Sequence, residues 1–248
     1  MRLRVVGSTG SVPGPDNPAS CYLIEQDGVR LVVDMGSGGF GALQRYCDPN
    51  DIDAVLITHL HADHYLDLCP YAVYRRHGGD GRMPRLPVLG PAETEARLGA
   101  AYGDPDPKRL RQIFDFGDLA AGSWDIGPLR VTARRVKHPV TAYALRIATE
   151  TAALTYSGDT GPCDALVDLA SGSDLLLAEA TFATGGDLPT DVHMTGREAG
   201  EHARRAKAGR LVLTHIPPWG DRRKTLGEAV AVYPGLVELA AAGAAYDM

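Results

Sequence analysis

Short apolar runs recur along the chain, and their lengths are those of β-strands. Nine segments rich in Val, Ile, Leu and Thr, many of them bounded by Gly, Asp or Pro, predict strands. They are residues 2–6, 20–25, 30–34, 54–58, 129–134, 142–147, 153–157, 175–178 and 211–214. Five segments between the strands predict helices, namely residues 41–47, 92–101, 163–170, 197–207 and 224–232.

The order of these elements indicates sheets packed together under helices, because the strands come in early groups and the longer helices later. The predicted helix 197–207 has the sequence of a capping box, with Thr195 three residues before Glu198 and Gly209 just past its end. No repeat, low-complexity tract or linker interrupts the pattern, so we expect residues 1–248 to form one domain. The segment 77–91, rich in Gly and Pro, predicts a surface loop.

Composition limits the class of protein. The chain has 248 residues, 44% hydrophobic and 23% charged, which is typical of a globular protein with a sizeable core. No apolar run approaches the roughly 18 residues of a membrane span, so no membrane partner is expected. Four widely spaced cysteines without a CxxC motif favour a reduced, cytoplasmic setting. The net charge of -6, without a block of Lys or Arg, argues against a long nucleic acid as partner.

The candidate chemistry is concentrated directly after the predicted strand 54–58. Three of the eight histidines lie there within six residues, as His59, His61 and His64, together with Asp63. His59 and His61 share a face in extended geometry, whereas Asp63 and His64 follow where the chain turns and can face a second centre. Imidazole and carboxylate are ligands that zinc and similar ions prefer. The pattern therefore predicts a metal site rather than a solvated loop.

The HxHxDH pattern after an apolar strand resembles the metallo-β-lactamase fold superfamily, whose hydrolases hold two metals. The resemblance implies three further ligands, which occur in the expected order as His138, Asp159 in a Gly-Asp pair, and His215 at the end of a strand. It implies one metal held by His59, His61 and His138, another held by Asp63, His64 and His215, and Asp159 bridging both. We therefore expect an α/β (α+β) protein with a four-layer αββα sandwich. Two Zn²⁺ ions per chain are implied, with Mn²⁺ or iron as alternatives.

Two later segments resemble the ribonuclease Z branch of that superfamily. They are Glu179-Ala180-Thr181-Phe182 and the run from His193 through Thr195 that opens a helix. The resemblance implies that His193 donates a proton to the leaving oxygen, and a helix N-terminus beside it favours an anion. It also implies that Asp63 orients the nucleophile. Thr195 and Glu179 are candidate substrate-binding residues.

The chain departs from that branch in two places. Ala178 stands where a histidine is expected before Glu-Ala-Thr. Ribonuclease Z enzymes insert a long RNA-gripping arm between the third histidine and the bridging aspartate. Here only residues 139–158 separate His138 from Asp159, and two predicted strands use them. The arm is therefore absent, and RNA is not the favoured partner.

The favoured function is hydrolysis of a small phosphodiester by metal-bound hydroxide, with His193 as proton donor. The leading substrate is a 3′,5′-cyclic nucleotide, because compact members of this branch resemble atypical bacterial cyclic-nucleotide phosphodiesterases. The alternatives are a ribonuclease Z-type tRNA 3′-trailer endonuclease, a lactone, thioester or β-lactam hydrolase, and a metal-binding protein without activity. The family also implies a homodimer.

The remaining candidate residues are assigned to the framework. Asp34 is expected to brace loops by hydrogen bonds, and the glycines of segment 36–41 to form a tight turn near the site. We expect His77 and His202 at the surface, Ser8, Thr9 and Ser11 in a solvated loop, and Tyr71 and Tyr74 packed along a helix.

Overall fold

The computed structural model of the protein describes residues 1–78, 83–103, 106–120, 122–185 and 187–248. The strands are β1 (Arg2–Gly7), β2 (Cys21–Gln26), β3 (Val29–Met35), β4 (Ala54–Leu56), β5 (Leu86–Gly90), β6 (Phe114–Asp118), β7 (Ser123–Ile126), β8 (Leu129–Arg135), β9 (Tyr143–Ala148), β10 (Ala153–Tyr156), β11 (Leu175–Glu179), β12 (Arg210–Thr214), β13 (Leu236–Leu239) and β14 (Ala245–Asp247). The helices are α1 (Gly39–Leu43), α2 (Ala62–Tyr65), α3 (Leu68–His77), α4 (Thr94–Tyr102), α5 (Asp164–Leu169), α6 (Gly196–Ala206) and α7 (Arg222–Val230). Short 3-10 segments lie at Pro49–Asp51 and Pro107–Gln112.

The strands form two seven-stranded sheets. The first has the order β14-β1-β2-β3-β4-β5-β6, and the second has the order β13-β12-β11-β10-β9-β8-β7. Each sheet is antiparallel at one end and parallel at the other, with parallel runs from β3 to β6 and from β10 to β13. The last strand, β14, returns to the first sheet and pairs with β1. Both sheets therefore place the carboxyl ends of several parallel strands at one edge.

Three apolar cores separate four layers. The central core lies between the sheets and combines residues such as Leu31 and Val33 of β3 with Leu145 and Leu177 of the second sheet. Val32, between Leu31 and Val33, belongs instead to the core under the helices of the first sheet, because successive side chains of a strand point to opposite faces. A third core lies between the second sheet and helices α5, α6 and α7. The αββα sandwich predicted from the sequence is confirmed.

The nine predicted strands correspond to β1–β4 and β8–β12, and the five predicted helices correspond to α1 and α4–α7. Tyr71 and Tyr74 do lie on a helix, α3, where Tyr71 is fully buried. The sequence did not predict β6, β7, β13 and β14. Of these, β13 and β14 have only four and three residues and are too short to show a pattern. No helix among the described residues is long and apolar enough to cross a membrane.

The prediction of a loop over residues 77–91 is wrong for its second half. Residues 79–82 lie outside the described residues, but Leu86–Gly90 forms β5 between β4 and β6. Pro87 argues against a central strand because it has no N–H for the ladder. It is tolerated here because the pairing of β4 with β5 comprises only Val88 and Leu89, so β4 takes no hydrogen bond from Pro87.

The prediction of His202 at the surface is also wrong, whereas His77 is exposed as expected. His202 is 4% exposed and lies on the face of α6 that packs with Ala199 and Ala203. Its Nδ1–H donates to the Glu198 carbonyl at 2.7 Å, and its Nε2 accepts from the Cys163 N–H at 3.1 Å. The side chain therefore joins α6 to the beginning of α5. The helical spacing of its alanine neighbours was the signal that could have found this.

We expect His202→Ala to lower the free energy of unfolding by about 1–3 kcal/mol, because the partly buried Cys163 N–H loses its acceptor and the buried imidazole leaves a gap. Urea denaturation followed by circular dichroism measures this change. Arg204→Ala, on the exposed face of the same helix, is the matched control and should stay within about 0.5 kcal/mol of the parent. Equal midpoints for the two variants would contradict the structural role of His202.

Candidate metal centre

The structure brings all seven predicted metal ligands together at the strand ends of both sheets. Four of them, His59, His61, Asp63 and His64, lie between β4 and the end of α2. The others follow three strands of the second sheet: His138 after β8, Asp159 after β10 and His215 after β12. Gly158 is required before Asp159, since its φ is +56° and an added Cβ would lie 2.7 Å from the Tyr143 carbonyl oxygen.

One cluster comprises His59, His61, His138 and Asp159. His61 Nδ1 lies 3.1 Å from His59 Nε2 and 3.0 Å from His138 Nε2. Asp159 Oδ2 lies 3.5 Å from His59 Nε2. Three imidazole nitrogens and one carboxylate oxygen therefore face a common point.

The second cluster comprises Asp63, His64, Asp159 and His215. His215 Nε2 lies 3.1 Å from His64 Nε2 and 3.1 Å from Asp63 Oδ2. Asp159 Oδ1 lies 3.3 Å from His64 Nε2. Asp159 thus belongs to both clusters, because its Oδ2 also lies 3.3 Å from His215 Nε2. The residues that each cluster contains are those expected from the sequence.

The geometry of both clusters suits metal ions. Four nitrogen or oxygen ligands at 2.0–2.1 Å around a tetrahedral ion lie about 3.3 Å from one another. The observed separations of 3.0–3.5 Å match this arrangement. Asp159 Oδ1 is buried and has no hydrogen-bond partner among the described residues. A buried carboxylate oxygen in that position is satisfied by a cation.

The protonation states of the clustered side chains also bear on metal binding. Burial lowers the pKa of His59, His61 and His138, so these rings stay neutral and keep a lone pair for a metal. Burial opposes the protonation of His64 as well, but the charges of Asp159 and Asp34 outweigh it and raise its pKa. Burial would raise the pKa of Asp159, and the surrounding imidazoles, His215 first, lower it instead. The first cluster therefore combines neutral imidazoles with the ionised carboxylate of Asp159, whereas the carboxylates around His64 favour a positive charge in the second cluster.

The second ring nitrogen of four clustered histidines is held by a partner outside the clusters. His64 Nδ1–H donates to Asp34 Oδ2 at 2.8 Å. The other three contacts join His138 Nδ1 to the Val192 carbonyl at 2.8 Å, His215 Nδ1 to Thr181 Oγ1 at 2.9 Å, and His59 Nδ1 to Thr58 Oγ1 at 3.2 Å. Each partner fixes the tautomer that leaves Nε2 free for a metal.

Asp34 is a buried hydrogen-bond acceptor at the end of β3. It accepts from the backbone N–H of Thr58 at 2.8 Å, from the Thr58 hydroxyl, from Tyr156 at 3.1 Å and from His64. Its φ is +55°, a left-handed conformation that Asp tolerates better than most residues. The expectation that Asp34 braces the site by hydrogen bonds agrees with these contacts. The sequence did not predict that Asp34 would accept a hydrogen bond directly from His64, one of the clustered histidines.

His193 lies beside both clusters. Its ring centroid is 5.4 Å from that of His138 and 5.5 Å from that of His215, and its side chain is 14% exposed. His193 Nδ1 lies 2.8 Å from Glu179 Oε1. Burial alone would lower the pKa of His193, but its hydrogen bond to Glu179 and the charge of that residue raise it. His193 is therefore oriented by Nδ1 and has Nε2 on the opposite side of the ring.

The two residues expected to bind substrate hold the framework instead. Glu179 is fully buried, and its oxygens accept from the N–H groups of Thr160 and Thr181 as well as from His193. Thr195 is the N-cap of α6, where it forms the capping box with Glu198 that the sequence predicted. These contacts argue against direct substrate binding and make Glu179 a positioning residue for His193.

The loop after β1 contacts the site, and the expectation of a solvated loop is wrong for Ser8 and Thr9, whereas Ser11 is exposed as expected. Ser8 and Thr9 are buried, and the Ser11 N–H donates to Asp63 Oδ2 at 2.8 Å. The Ser8 carbonyl accepts from the N–H of His215 at 3.0 Å. The backbone of His215 has a φ of +58°, so His215 adopts the left-handed conformation, as Asp34 does. These backbone contacts leave no pattern in the sequence.

The comparisons with known proteins identify the family. The model for the beta-lactamase superfamily domain matches residues 30–216, a range that includes all seven clustered residues. The chain belongs to this superfamily, and it is a hydrolase of the metallo-β-lactamase fold with clusters suited to metal binding.

Individual relatives span the whole chain. The uncharacterized protein ML1173 of Mycobacterium leprae is 42% identical over 254 residues, covering 100% of this chain and 89% of the relative. The probable metallo-hydrolase YhfI of Bacillus subtilis is 31% identical over the full length of both. The crystal structure of YhfI superposes with a TM-score of 0.88, covering 99% of this chain and 98% of that one. A ribonuclease Z of Mycobacterium bovis is 28% identical, covering 96% of this chain and 95% of the relative.

We expect Asp34→Asn to weaken metal binding at the second cluster about 10- to 100-fold. Asn also tolerates the left-handed backbone, and its oxygen can still accept from the Thr58 N–H. Its amide nitrogen would then donate to His64 Nδ1, which moves the ring proton to Nε2 and blocks that nitrogen. Competition with a chromophoric chelator measures the affinity.

The control for this variant is Asp174→Asn, which alters another carboxylate that accepts from a backbone N–H, at Ala153, away from the clusters. Its metal affinity should equal that of the parent. Unchanged affinity in Asp34→Asn would show that the buried Asp34–His64 hydrogen bond does not set the tautomer of His64.

Proposed function

We propose that the protein is a metal-dependent phosphodiesterase that hydrolyses a small phosphodiester, with a 3′,5′-cyclic nucleotide as the leading substrate. The observation that carries this proposal is the position of His193. A histidine whose Nδ1 is held by a buried glutamate and whose ring adjoins both clusters has the place required of a proton donor. Phosphodiester cleavage needs such a donor, since the departing alkoxide must gain a proton.

The two clusters would hold two divalent cations, with Zn²⁺ as the expected ion and Mn²⁺ or iron as alternatives. The proposed ligands are His59, His61 and His138 for one ion, Asp63, His64 and His215 for the other, and Asp159 for both. When bound, such ions lower the pKa of a water molecule and neutralise negative charge on the phosphoryl oxygens.

Asp63 and His193 have different tasks in the proposed reaction. Of the two clustered carboxylates, Asp63 has the more exposed side chain, 11% against 2% for Asp159. It is therefore the carboxylate that orients the attacking water. The charge of Glu179 favours the protonated form of His193, and with Nδ1–H donated to Glu179, Nε2–H is the proton given to the leaving oxygen.

A small substrate is favoured by the short connection after His138. Strands β9 and β10 occupy half of residues 139–158, and only residues 149–152 join them. The chain thus has no protruding arm in this interval, and its net charge of -6 disfavours a polyanionic substrate. A tRNA 3′-trailer endonuclease is the second candidate, because a relative named ribonuclease Z matches 96% of the chain.

We expect the Zn²⁺- or Mn²⁺-loaded protein to hydrolyse 3′,5′-cyclic AMP, and His61→Ala to abolish turnover. We expect His193→Ala to lower kcat about 10²- to 10⁴-fold, since it removes the proton donor, and to keep the metal content of the parent. Chromatography of the nucleotides measures turnover, and mass spectrometry of the metals measures their content.

His77→Ala, an exposed histidine away from the clusters, serves as the matched control and should match the parent in both measurements. Absence of cyclic nucleotide turnover in a protein that holds two metals would refute the leading substrate. Precursor tRNA with a 3′ trailer, and then lactones and thioesters, would test the other candidates.

A further inference from the structure

We propose that a cavity beside His193 is a subsite for the nucleobase of the substrate, with Phe182 and Leu188 as its apolar walls. The inference rests on the proposed phosphodiesterase function. It assigns a binding site to the nucleobase, the part of the substrate that does not react. The cavity has a volume of about 320 Å³, and His193 itself forms part of its lining. This volume is near the lower end of the about 300–1,000 Å³ typical of small-molecule sites, so it suits a group of nucleobase size.

The direction of proton transfer selects this side of the centre. His193 gives its proton to the oxygen that leaves phosphorus, so the alcohol bearing that oxygen must lie next to His193. In a 3′,5′-cyclic nucleotide the leaving oxygen belongs to the ribose, and the base extends from the same ribose. The base therefore reaches the cavity that shares His193 as a wall.

The apolar part of the lining suits an aromatic ring. Phe182 packs against His193 with a centroid separation of 5.3 Å and an interplanar angle of 87°. Leu188 is 37% exposed, and Pro162 adds a rigid apolar surface. An exposed leucine and a phenylalanine beside a polar centre are apolar surface that a stacked base would remove from water. Stacking of a base on an aromatic side chain is worth about 1–3 kcal/mol.

The polar part of the lining argues against a second phosphate. Lys137 lines the cavity, but its Nζ lies 3.2 Å from the carboxylate of Asp191. Glu198 and Thr190 line the cavity as well. Glu198 uses Oε2 in the capping box with Thr195, so its Oε1 and the Thr190 hydroxyl are the acceptors offered to a base. Such groups accept hydrogen bonds from ring N–H or amino groups of a base, whereas a carboxylate repels an anion. The charge balance therefore fits a neutral heterocycle.

We expect Leu188→Ala and Phe182→Ala to raise the KM for cyclic AMP about 5- to 100-fold while kcat of Leu188→Ala stays within about twofold of the parent. Phe182→Tyr, which keeps the ring, should retain the KM of the parent. Leu236→Ala is the matched control, because Leu236 is an exposed leucine on β13 that does not line the cavity.

Two further measurements separate base binding from chemistry. Calorimetric titration of the metal-loaded proteins with a non-hydrolysable phosphorothioate analogue of cyclic AMP should show the same weakening in Kd as in KM. For methyl riboside 3′,5′-cyclic phosphate, which lacks a base, the parent, Leu188→Ala and Phe182→Ala should have similar KM values.

The outcomes distinguish this subsite from the proposed function. If the parent hydrolyses cyclic AMP and both alanine variants keep its KM and Kd, the subsite is refuted and the phosphodiesterase stands. Equal losses for cyclic AMP and for the base-free analogue would also refute the subsite, because the variants would then disturb His193 or the metals. If the metal-loaded parent hydrolyses no cyclic nucleotide, the proposed function and the subsite both fail.

Discussion

The carboxylate of Asp159 is almost completely buried, and the arrangement of both sheets depends on compensating its charge. Removing an ion from water costs several kcal/mol unless charges or hydrogen bonds replace the lost hydration. Here the compensation comes from His59 and His64 of the first half of the chain and from His215 of the second. The strand ends that carry these rings must therefore converge on one point. The sandwich is the scaffold that fixes this convergence, and the three apolar cores hold it rigid.

Two other buried carboxylates, Asp34 and Glu179, each orient an imidazole ring by a hydrogen bond, one in each half of the molecule. Asp34 at the end of β3 fixes a ring nitrogen of His64, and Glu179 at the end of β11 fixes one of His193. Each carboxylate also accepts from backbone N–H groups of neighbouring segments. Asp34 accepts from Thr58, and Glu179 accepts from Thr160 and Thr181. Both carboxylates thereby orient an imidazole without reaching solvent. The ring of His64 lies in the second cluster, and the ring of His193 has its second nitrogen on the side away from Glu179.

Much of this could be predicted from the sequence, because apolar runs mark buried strands and the metal ligands follow them in a recognisable order. The rest depends on contacts that the chain order hides. The hydrogen bond from Tyr156 to Asp34 joins residues 122 positions apart, and the burial of His202 depends on the packing of α6 over α5. Pro87 conceals β5 because its cost depends on whether the neighbouring strand β4 pairs with it, which the sequence does not show. Glu179 was recognised as a candidate, but only its burial shows that it acts through His193.

The left-handed backbone at His215 limits which side chains can serve as a metal ligand at this position. Residues with positive φ are mostly Gly, Asn, Asp and His, so the backbone limits which side chains this position accepts without strain. Among good metal ligands, only imidazole and the short carboxylate satisfy that limit, whereas a thiolate from Cys does not share the preference. Evolution or design could therefore exchange nitrogen for oxygen here more readily than for sulfur. The main chain at this position therefore favours nitrogen and oxygen ligands, which suit borderline and hard cations.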